Sequence, residues 1–245
     1  MDYPVAFMPA AKPFYEYNAR ARKQLRAGAI PARVYRPEEL RDPRRASREN
    51  LLVKIAKEKD EAGSWHTFRI PLKVHQRWIG GSIDIQSQVA RAVDAARKRG
   101  LKAFVLELGC GLGDVLAGEK AKYGDDLVTY GSVLKRTRGA DYAGVDHLLE
   151  GELRNCLPRR QIFDFVFSLT DGSFSHTRLK AGSLERVIGL LRPGGTAALH
   201  MGREFFSGDF ESLREVKAVL AENGIKHYAT ENDVLVFTKP YPHLP

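Results

Sequence analysis

The chain has 245 residues, of which 43% are hydrophobic and 28% are charged, and its formal net charge is +9. This length fits one large α/β domain, or one domain with a small extension. No run of about 18 apolar residues occurs, so the sequence predicts neither a membrane span nor a membrane partner. Residues 1–17 carry acids and lack a long apolar stretch, which argues against a secretory signal.

The two cysteines, Cys110 and Cys156, belong to no CxxC pair. This usage is typical of a reduced compartment, and it excludes a disulfide framework and an all-cysteine zinc site. We therefore expect a cytoplasmic protein. Residues 20–48 are rich in arginine, but the interspersed acids argue against a transit peptide, although import into an organelle stays open. No spacing of acids or histidines requires a metal, and we predict none.

Positive charge is concentrated in the first part of the chain. Residues 1–100 contain 21 Lys and Arg against 11 Asp and Glu, whereas residues 101–245 contain 18 against 19. We divide the chain into a basic N-terminal extension, residues 1–83, and a domain, residues 84–245. The asymmetry fits either an acidic partner that docks on the extension or a solvated basic surface.

The extension reads as an irregular arm, with short helices near 19–28 and 48–60 and a strand near 64–74. Residues 84–99 then have apolar side chains at helical spacing, with Ser82 or Asp84 as the N-cap and Gly100 at the end. From Leu101 onward, short apolar runs alternate with helical stretches. Strands are predicted at 102–108, 126–133, 141–148, 163–169 and 196–202, and helices at 113–124, 182–191 and 210–224.

This alternation predicts a doubly wound α/β domain with a mostly parallel sheet. Residues 225–240 read as two further strands joined tightly at Glu231–Asn232. This last pair must be antiparallel, because so short a connection cannot cross over the sheet.

The stretch "AFVLELGCGLGD", residues 103–114, places three glycines directly after a buried strand. Glycine tolerates positive φ and lets the backbone approach a ligand. The spacing is G-x-G-x-G rather than the G-x-G-x-x-G of dinucleotide sites. Asp114 would repel a pyrophosphate, and Glu107 adds a second negative charge. Both carboxylates suit a cationic or amine-bearing ligand, and S-adenosylmethionine is such a ligand.

The segment "VLELGCGLGD" resembles motif I of the class I S-adenosylmethionine-dependent methyltransferases. Further segments follow in family order: "FDFVFSLTDG", "LERVIGLLRPGGTAALHMG" and "ENDVLVFTKP". The resemblance covers residues 84–240. It implies S-adenosyl-L-methionine as cofactor and a Rossmann-like, seven-stranded sheet with an antiparallel last strand.

The resemblance also implies site residues. Glu107 and the turn residues Gly109, Cys110, Gly111 and Gly113 would face the amino-acid part of the cofactor. The residues at the end of the fourth-strand motif, Ser168 and Leu169, are expected to contact the cofactor as well.

A carboxylate that ends the second strand usually binds the ribose hydroxyls in this family. The usual spacing points here to Tyr130–Ser132, where no acid is found. In one interpretation residues 123–140 are an insertion and Asp146 binds the ribose. In the other, "LVTYGSV" is strand two, and Asp146 follows strand three and lies near the adenine.

Methyl transfer needs alignment of donor and acceptor, and a general base when the acceptor arrives protonated. The candidate bases are His176 and His200, with Asp171 as an orienting group or an alternative base. The acceptor is either a small molecule, with residues 1–83 as lid and substrate wall, or RNA. Arginines of the extension lie near Phe14, Tyr15, Tyr17 and Tyr35, a mixture that suits phosphates and stacked bases.

A different class of function is also open: a catalytically inactive scaffold, or an RNA-binding subunit, that keeps the methyltransferase fold. The missing acid near Ser132 favours this alternative. The intact glycine turn and Glu107 disfavour it.

Overall fold

A computed structural model of the chain describes residues 33–35 as backbone only. It further describes residues 84–133, 136, 141–142, 144–151, 153–158, 160–169, 180–201, 210–231 and 234–242. The predicted helices at 19–28 and 48–60 and the predicted strand at 64–74 lie outside the described residues. The division of the chain after residue 83 stays a prediction.

The described part of the chain forms eight strands and five helices. The strands are β1 (Arg33–Tyr35), β2 (Ala103–Leu108), β3 (Leu127–Val133), β4 (His147–Glu150), β5 (Phe163–Ser168), β6 (Leu191–His200), β7 (Tyr228–Glu231) and β8 (Val234–Thr238). The helices are α1 (Ile85–Arg97), α2 (Asp114–Tyr123), α3 (Leu153–Cys156), α4 (Lys180–Leu190) and α5 (Phe210–Glu222), with a 3₁₀ turn at Gly124–Asp126.

All of these strands belong to one mixed sheet with the order β1-β4-β3-β2-β5-β6-β8-β7. Strands β4, β3, β2, β5 and β6 are parallel, and β8 is antiparallel to both of its neighbours. The seven strands from β2 to β8 therefore confirm the predicted mostly parallel sheet with an antiparallel last strand.

Helix α1 forms where the apolar spacing predicts it. Asp84 is the N-cap, and its Oδ1 accepts a hydrogen bond of 3.1 Å from the Ser87 N–H. The side chains of the predicted apolar stripe are all buried: Ile85, Val89, Ala92, Val93 and Ala96. This stripe lies against the sheet, so α1 stabilises the domain by removing apolar surface from water.

The sheet is covered on both faces by apolar clusters. Helices α1 and α2 cover what we call the first face, and α3, α4 and α5 cover the second face. Side chains along β2 alternate between the two, so Val105 packs on the first face and Leu106 and Leu108 pack on the second. Glu107 is a carboxylate in this otherwise apolar strand, and the alternation directs it to the first face.

Strand β1 adds an eighth strand that the sequence did not predict. It pairs antiparallel with β4, with Arg33 opposite Glu150 and Tyr35 opposite Leu148. A strand of three residues is too short to show a period-two pattern, so the sequence does not predict β1. Because Arg33 lies beside the last residue of β4, the chain enters β1 from the edge at which the parallel strands end.

The predicted third strand, residues 141–148, is wrong in position. The structure places β4 at His147–Glu150, and the preceding residues form a turn in which the Val145 N–H donates to the Tyr142 carbonyl (2.8 Å). Gly144 in this turn lies so close to α2 that an added Cβ would overlap Ala117. Because this turn packs against α2, β4 begins only at His147, after the turn.

The segment "RPGG", between the helix predicted at 182–191 and the strand predicted at 196–202, forms a bulged start of β6. The Gly194 N–H donates to the Lys239 carbonyl, and the Lys239 N–H donates back to the Gly195 carbonyl, both at 2.8 Å. The register with β5 shifts between Phe163 and Phe165. These bonds keep the two glycines in the sheet. None of the helices in the described ranges is both long and apolar enough to cross a membrane.

Candidate functional site

Buried polar side chains gather at one edge of the sheet. Of the seven buried polar residues in the described part of the chain, four stand at or next to the ends of β2, β3, β5 and β6: Glu107, Ser132, Ser168 and His200. We call this the carboxyl edge. In open sheets of parallel strands, ligands bind beyond this edge.

Strand β2 lies where the strand order changes direction. The chain places β3 and β4 on one side of β2, and β5 and β6 on the other. The connections that leave β2 and β5 therefore diverge, and we expect a ligand to bind between them at the carboxyl edge. The glycine turn, residues 109–113, follows β2 at this point.

The glycine turn presents bare backbone on its outer side. Gly109, Gly111 and Gly113 have φ values of +75°, +58° and +78°, which side-chain-bearing residues rarely adopt. Cys110 and Leu112 are buried, whereas Gly109 and Gly111 are partly exposed. The side chains between the glycines thus anchor the turn in the core, and the exposed positions have no side chain to block a ligand.

Gly113 is also required by the packing of the protein itself. A Cβ at this position would lie 2.5 Å from Val145 Cγ2. The residue closes the turn through its N–H, which donates to the Cys110 carbonyl (2.8 Å), and it precedes the first residue of α2, Asp114. Packing therefore requires a glycine at position 113 whether or not a ligand binds to the turn.

Glu107 combines deep burial with an unsatisfied oxygen. Its side chain is 4% exposed, and its Oε2 atom has no hydrogen-bond partner in the described part of the chain. Burial raises the pKa of this carboxyl well above its usual value, and the charge of Asp114 raises it further. Burial likewise raises the pKa of the Cys110 thiol, with Glu107 as the next cause. A positively charged ligand group would reverse these effects.

Asp146 lies before β4 and away from the carboxyl edge, and its contact with the cofactor stays a prediction. "LVTYGSV" is β3, the second of the predicted strands, but Asp146 precedes β4 instead of following it. Its Oδ2 accepts hydrogen bonds from Lys120 Nζ (2.7 Å) and from the Thr129 N–H (2.9 Å). Thr129 lies early in β3, so the carboxylate ties α2 to the first half of the sheet.

The end of β3 has a serine where the resemblance implies an acid. Ser132 accepts a hydrogen bond from the Gly109 N–H at its Oγ (3.0 Å), and its carbonyl accepts one from the Cys110 N–H (2.9 Å). The hydroxyl therefore supports the glycine turn.

Glu150 is a carboxylate at the carboxyl edge that the sequence reasoning missed. It ends β4 in register with Val133, and its Oε1 accepts a hydrogen bond from the Arg136 N–H (3.0 Å). Val133 belongs to the first-face cluster, so Glu150 points to the same face as Glu107. The misplaced third strand concealed it, because a strand that ended at Leu148 would leave Glu150 in a loop.

The catalytic candidates are only partly placed. His200 is buried at the end of β6, and it shares the first face with Glu107, since Ala198 and the opposite Val234 belong to that cluster. Asp171 and His176 lie outside the described residues, and their roles stay predictions.

The two predicted cofactor contacts at the end of β5 face different ways. Leu169 belongs to the first-face cluster. Ser168 alternates with it and is directed to the second face, where its buried Oγ has no hydrogen-bond partner in the ranges described. Among the described residues, no group of three or more His, Cys, Asp or Glu side chains is arranged to hold a metal ion.

No protein-family model and no curated protein matches the chain. Solved structures do match it. A TehB-like SAM-dependent methyltransferase from Corynebacterium glutamicum is 21% identical with a TM-score of 0.43, over 68% of this chain and 96% of that one. DesVI of Streptomyces venezuelae is 14% identical with a TM-score of 0.44, over 71% and 100% of the two chains.

A third similar structure is phosphoethanolamine N-methyltransferase 2 of Haemonchus contortus in complex with S-adenosyl-L-methionine. It is 18% identical with a TM-score of 0.39 over 64% of this chain, and this chain spans only 42% of its length. At these identities and TM-scores, nothing about the activity of this chain follows from the three structures.

The strand order is what identifies the fold. The seven strands in the order β4-β3-β2-β5-β6-β8-β7 form a doubly wound sheet, and its antiparallel β8 agrees with the sheet that the resemblance implies. The chain has a Rossmann-like, doubly wound α/β fold, as the resemblance to class I methyltransferases implies.

The raised pKa of Glu107 predicts a pH dependence of stability. The folded chain keeps the Glu107 proton at pH values where the unfolded chain has lost it. The free energy of unfolding should therefore fall as pH rises above the usual Glu value of 4.5, by up to about 1.4 kcal/mol per pH unit, until the folded carboxyl ionises. Glu107→Gln should lack this decline.

Urea unfolding of the ligand-free chain between pH 4.5 and 8 measures the effect. Glu185→Gln, on the exposed side of α4, is the matched control and should follow the wild type. Parallel pH profiles for Glu107→Gln and the wild type would show that Glu107 is not a destabilising buried carboxylate.

Proposed function

We propose that the chain is an S-adenosyl-L-methionine-dependent methyltransferase that binds its cofactor at the glycine turn. The observation that carries this proposal is Glu107. Its buried carboxylate has an oxygen with no hydrogen-bond partner in the described part of the chain, and it lies beside a turn with bare outer backbone. A buried charge of this kind is destabilising unless a partner compensates it.

The chemistry of S-adenosyl-L-methionine fits these residues. The cofactor supplies an electrophilic methyl group on a positively charged sulfur, and it carries an α-ammonium group as well. Glu107 would accept the ammonium protons, and Asp114 would add negative potential at the start of α2. The partly exposed Gly109 and Gly111 leave room for the amino-acid part of the ligand.

For the ribose hydroxyls we propose Glu150 in the role predicted for Asp146. Asp146 is occupied with Lys120 and Thr129 away from the carboxyl edge. Glu150 lies at that edge on the face of Glu107, and a carboxylate can accept hydrogen bonds from both hydroxyls of a diol.

The chain's own contribution to the reaction is alignment and proton removal. His200 stands two strands from Glu107, about 10 Å across the sheet. We propose that one of its ring nitrogens accepts the acceptor's proton as the methyl group is transferred. Asp171 or His176 could serve in this role instead. Apart from removal of this proton, in-line displacement mainly requires the protein to align the methyl donor with the acceptor.

Isothermal titration calorimetry with S-adenosylhomocysteine tests the cofactor site. The wild type should bind, and Glu107→Gln should bind about 10- to 100-fold more weakly, because a hydrogen bond to a charged group is lost. Gly111→Arg should abolish binding by filling the bare side of the turn.

Gly118→Ala is the matched control, because a Cβ at this position in α2 meets open space. It should bind like the wild type. Absence of heat with the wild-type chain would favour the scaffold alternative, and retained binding by Gly111→Arg would place the site elsewhere.

We further propose that the acceptor is RNA. Glu107, Asp114 and Glu150 make the described carboxyl edge acidic, so the domain itself offers little to a polyanion. Residues 1–83, in contrast, contain 17 Lys and Arg against 9 Asp and Glu. Basic groups of this extension would have to reach the carboxyl edge to hold phosphates there.

The positions of two described residues support this proposed location of the basic groups. The chain enters β1 beside Glu150, so Arg33, the first residue of β1, lies at the carboxyl edge. Helix α1 leads through a short connection into the first residue of β2, and its 13 residues span about 20 Å, so Asp84 lies towards the carboxyl edge as well. Arg33 and Asp84, two described residues that adjoin undescribed parts of the extension, thus both lie towards the carboxyl edge.

Salt-dependent binding to a fluorescently labelled single-stranded RNA of mixed sequence tests the acceptor class. Affinity should fall steeply with salt, and replacing Arg20, Arg22 and Arg26 with Gln should reduce the log–log slope by about 2, at 0.7 per phosphate contact. A control triple variant of the exposed Arg91, Arg160 and Arg214 changes net charge equally and should keep the slope. No binding at low salt, or equal slope changes in both variants, would favour a small-molecule acceptor.

A further inference from the structure

Ser132 joins the glycine turn to the end of β3 by two hydrogen bonds. Its Oγ accepts the Gly109 N–H at 3.0 Å, and its carbonyl accepts the Cys110 N–H at 2.9 Å. The side chain is 2% exposed, so water does not compete for the hydroxyl. The first two amides of the turn are therefore both held by one residue of the neighbouring strand.

The residue before Ser132 completes this attachment. Gly131 has no side chain, and an added Cβ would lie 2.5 Å from Cys110 Sγ. Cys110 can consequently pack against β3, directly beside Glu107, which is in register with Gly131. Two consecutive residues of β3, Gly131 beside Glu107 and Ser132 beside Leu108, thus hold the start of the turn against the strand.

We infer that Ser132 is a positioning residue that holds the glycine turn in its ligand-binding conformation. This inference rests on the proposed cofactor site. Ser132 acts through the Gly109 and Cys110 amides, and its hydroxyl is occupied by the turn instead of the ligand.

The physical reason is the flexibility of a turn with three glycines. Glycine samples more backbone conformations than any other residue, so an unanchored turn would have to be ordered when a ligand binds. A hydroxyl that fixes the first amide lowers that entropic penalty in advance, and preorganisation of this kind raises affinity.

Ser132→Thr and Ser132→Val form the critical pair, because they differ only in a hydroxyl against a methyl group. We expect Ser132→Val to weaken S-adenosylhomocysteine binding about 5- to 10-fold relative to Ser132→Thr. In the ligand-free chain, hydrogen exchange of the Gly109 amide should accelerate by a similar factor in the Val variant, while amides of β5 and β6 keep their rates.

Ser183→Ala is the matched control, since Ser183 is also a buried serine but belongs to α4, which covers the second face of the sheet. It should leave both readouts unchanged. Should Ser132→Val fail to fold, Ser132→Ala replaces it and is compared with the wild type.

Equal affinities and equal Gly109 exchange in the Thr and Val variants would overturn the inference, as would a fall in thermal stability without a change in affinity. Failure of the proposed function is distinguishable. If the wild type does not bind S-adenosylhomocysteine, the positioning role towards a ligand falls with the cofactor site, and the exchange rates then report only whether Ser132 orders the turn.

Discussion

The proposed function depends on a carboxylate that is buried at the point where the strand order changes direction. Glu107 occupies a position of β2 that would otherwise take an apolar residue, and its Oε2 atom finds no hydrogen bond in the part of the chain described here. Folding a domain around such a group lowers its stability. The destabilisation is understandable if a cation compensates it in the functional state, and the turn beside Glu107 is bare where that cation would lie.

The glycines around this site serve both the packing of the protein and the binding of a ligand. Gly113 admits the Val145 side chain, so the start of α2 packs on the turn before β4, and Gly131 admits the Cys110 side chain, so the glycine turn packs on β3. Gly109 and Gly111 are partly exposed and have positive φ. A motif that looks like a single ligand-binding signature in the sequence therefore combines two physical requirements. The hydrogen bonds from the Gly109 and Cys110 amides to Ser132 connect the two requirements. They attach the buried side of the turn to β3 and so orient its exposed side.

Much of the fold followed from local patterns. Helix α1, β2 and β5 have strong apolar periodicity or uninterrupted apolar runs, and the short link before β8 required an antiparallel pair. The position of Asp146 did not follow, because its ion pair with Lys120 joins residues 26 apart and is decided by how α2 packs on β3. Strand β1 was equally unpredictable, since it pairs with a strand more than 100 residues away. Local sequence patterns thus predicted a glycine turn directly after a buried strand that contains Glu107. The location of Glu150 at the carboxyl edge and the contact of Ser132 with the turn became visible only from the register of the sheet.

The most direct test of the account is the pKa of Glu107, measured by carbon-13 NMR with and without S-adenosyl-L-methionine. In the ligand-free chain the pKa should lie well above that of an ordinary glutamate. Saturating cofactor should lower it markedly, because the ligand's positive charge stabilises the ionised carboxylate. A pKa that stays the same when the cofactor binds would contradict the claim that Glu107 holds a cationic ligand.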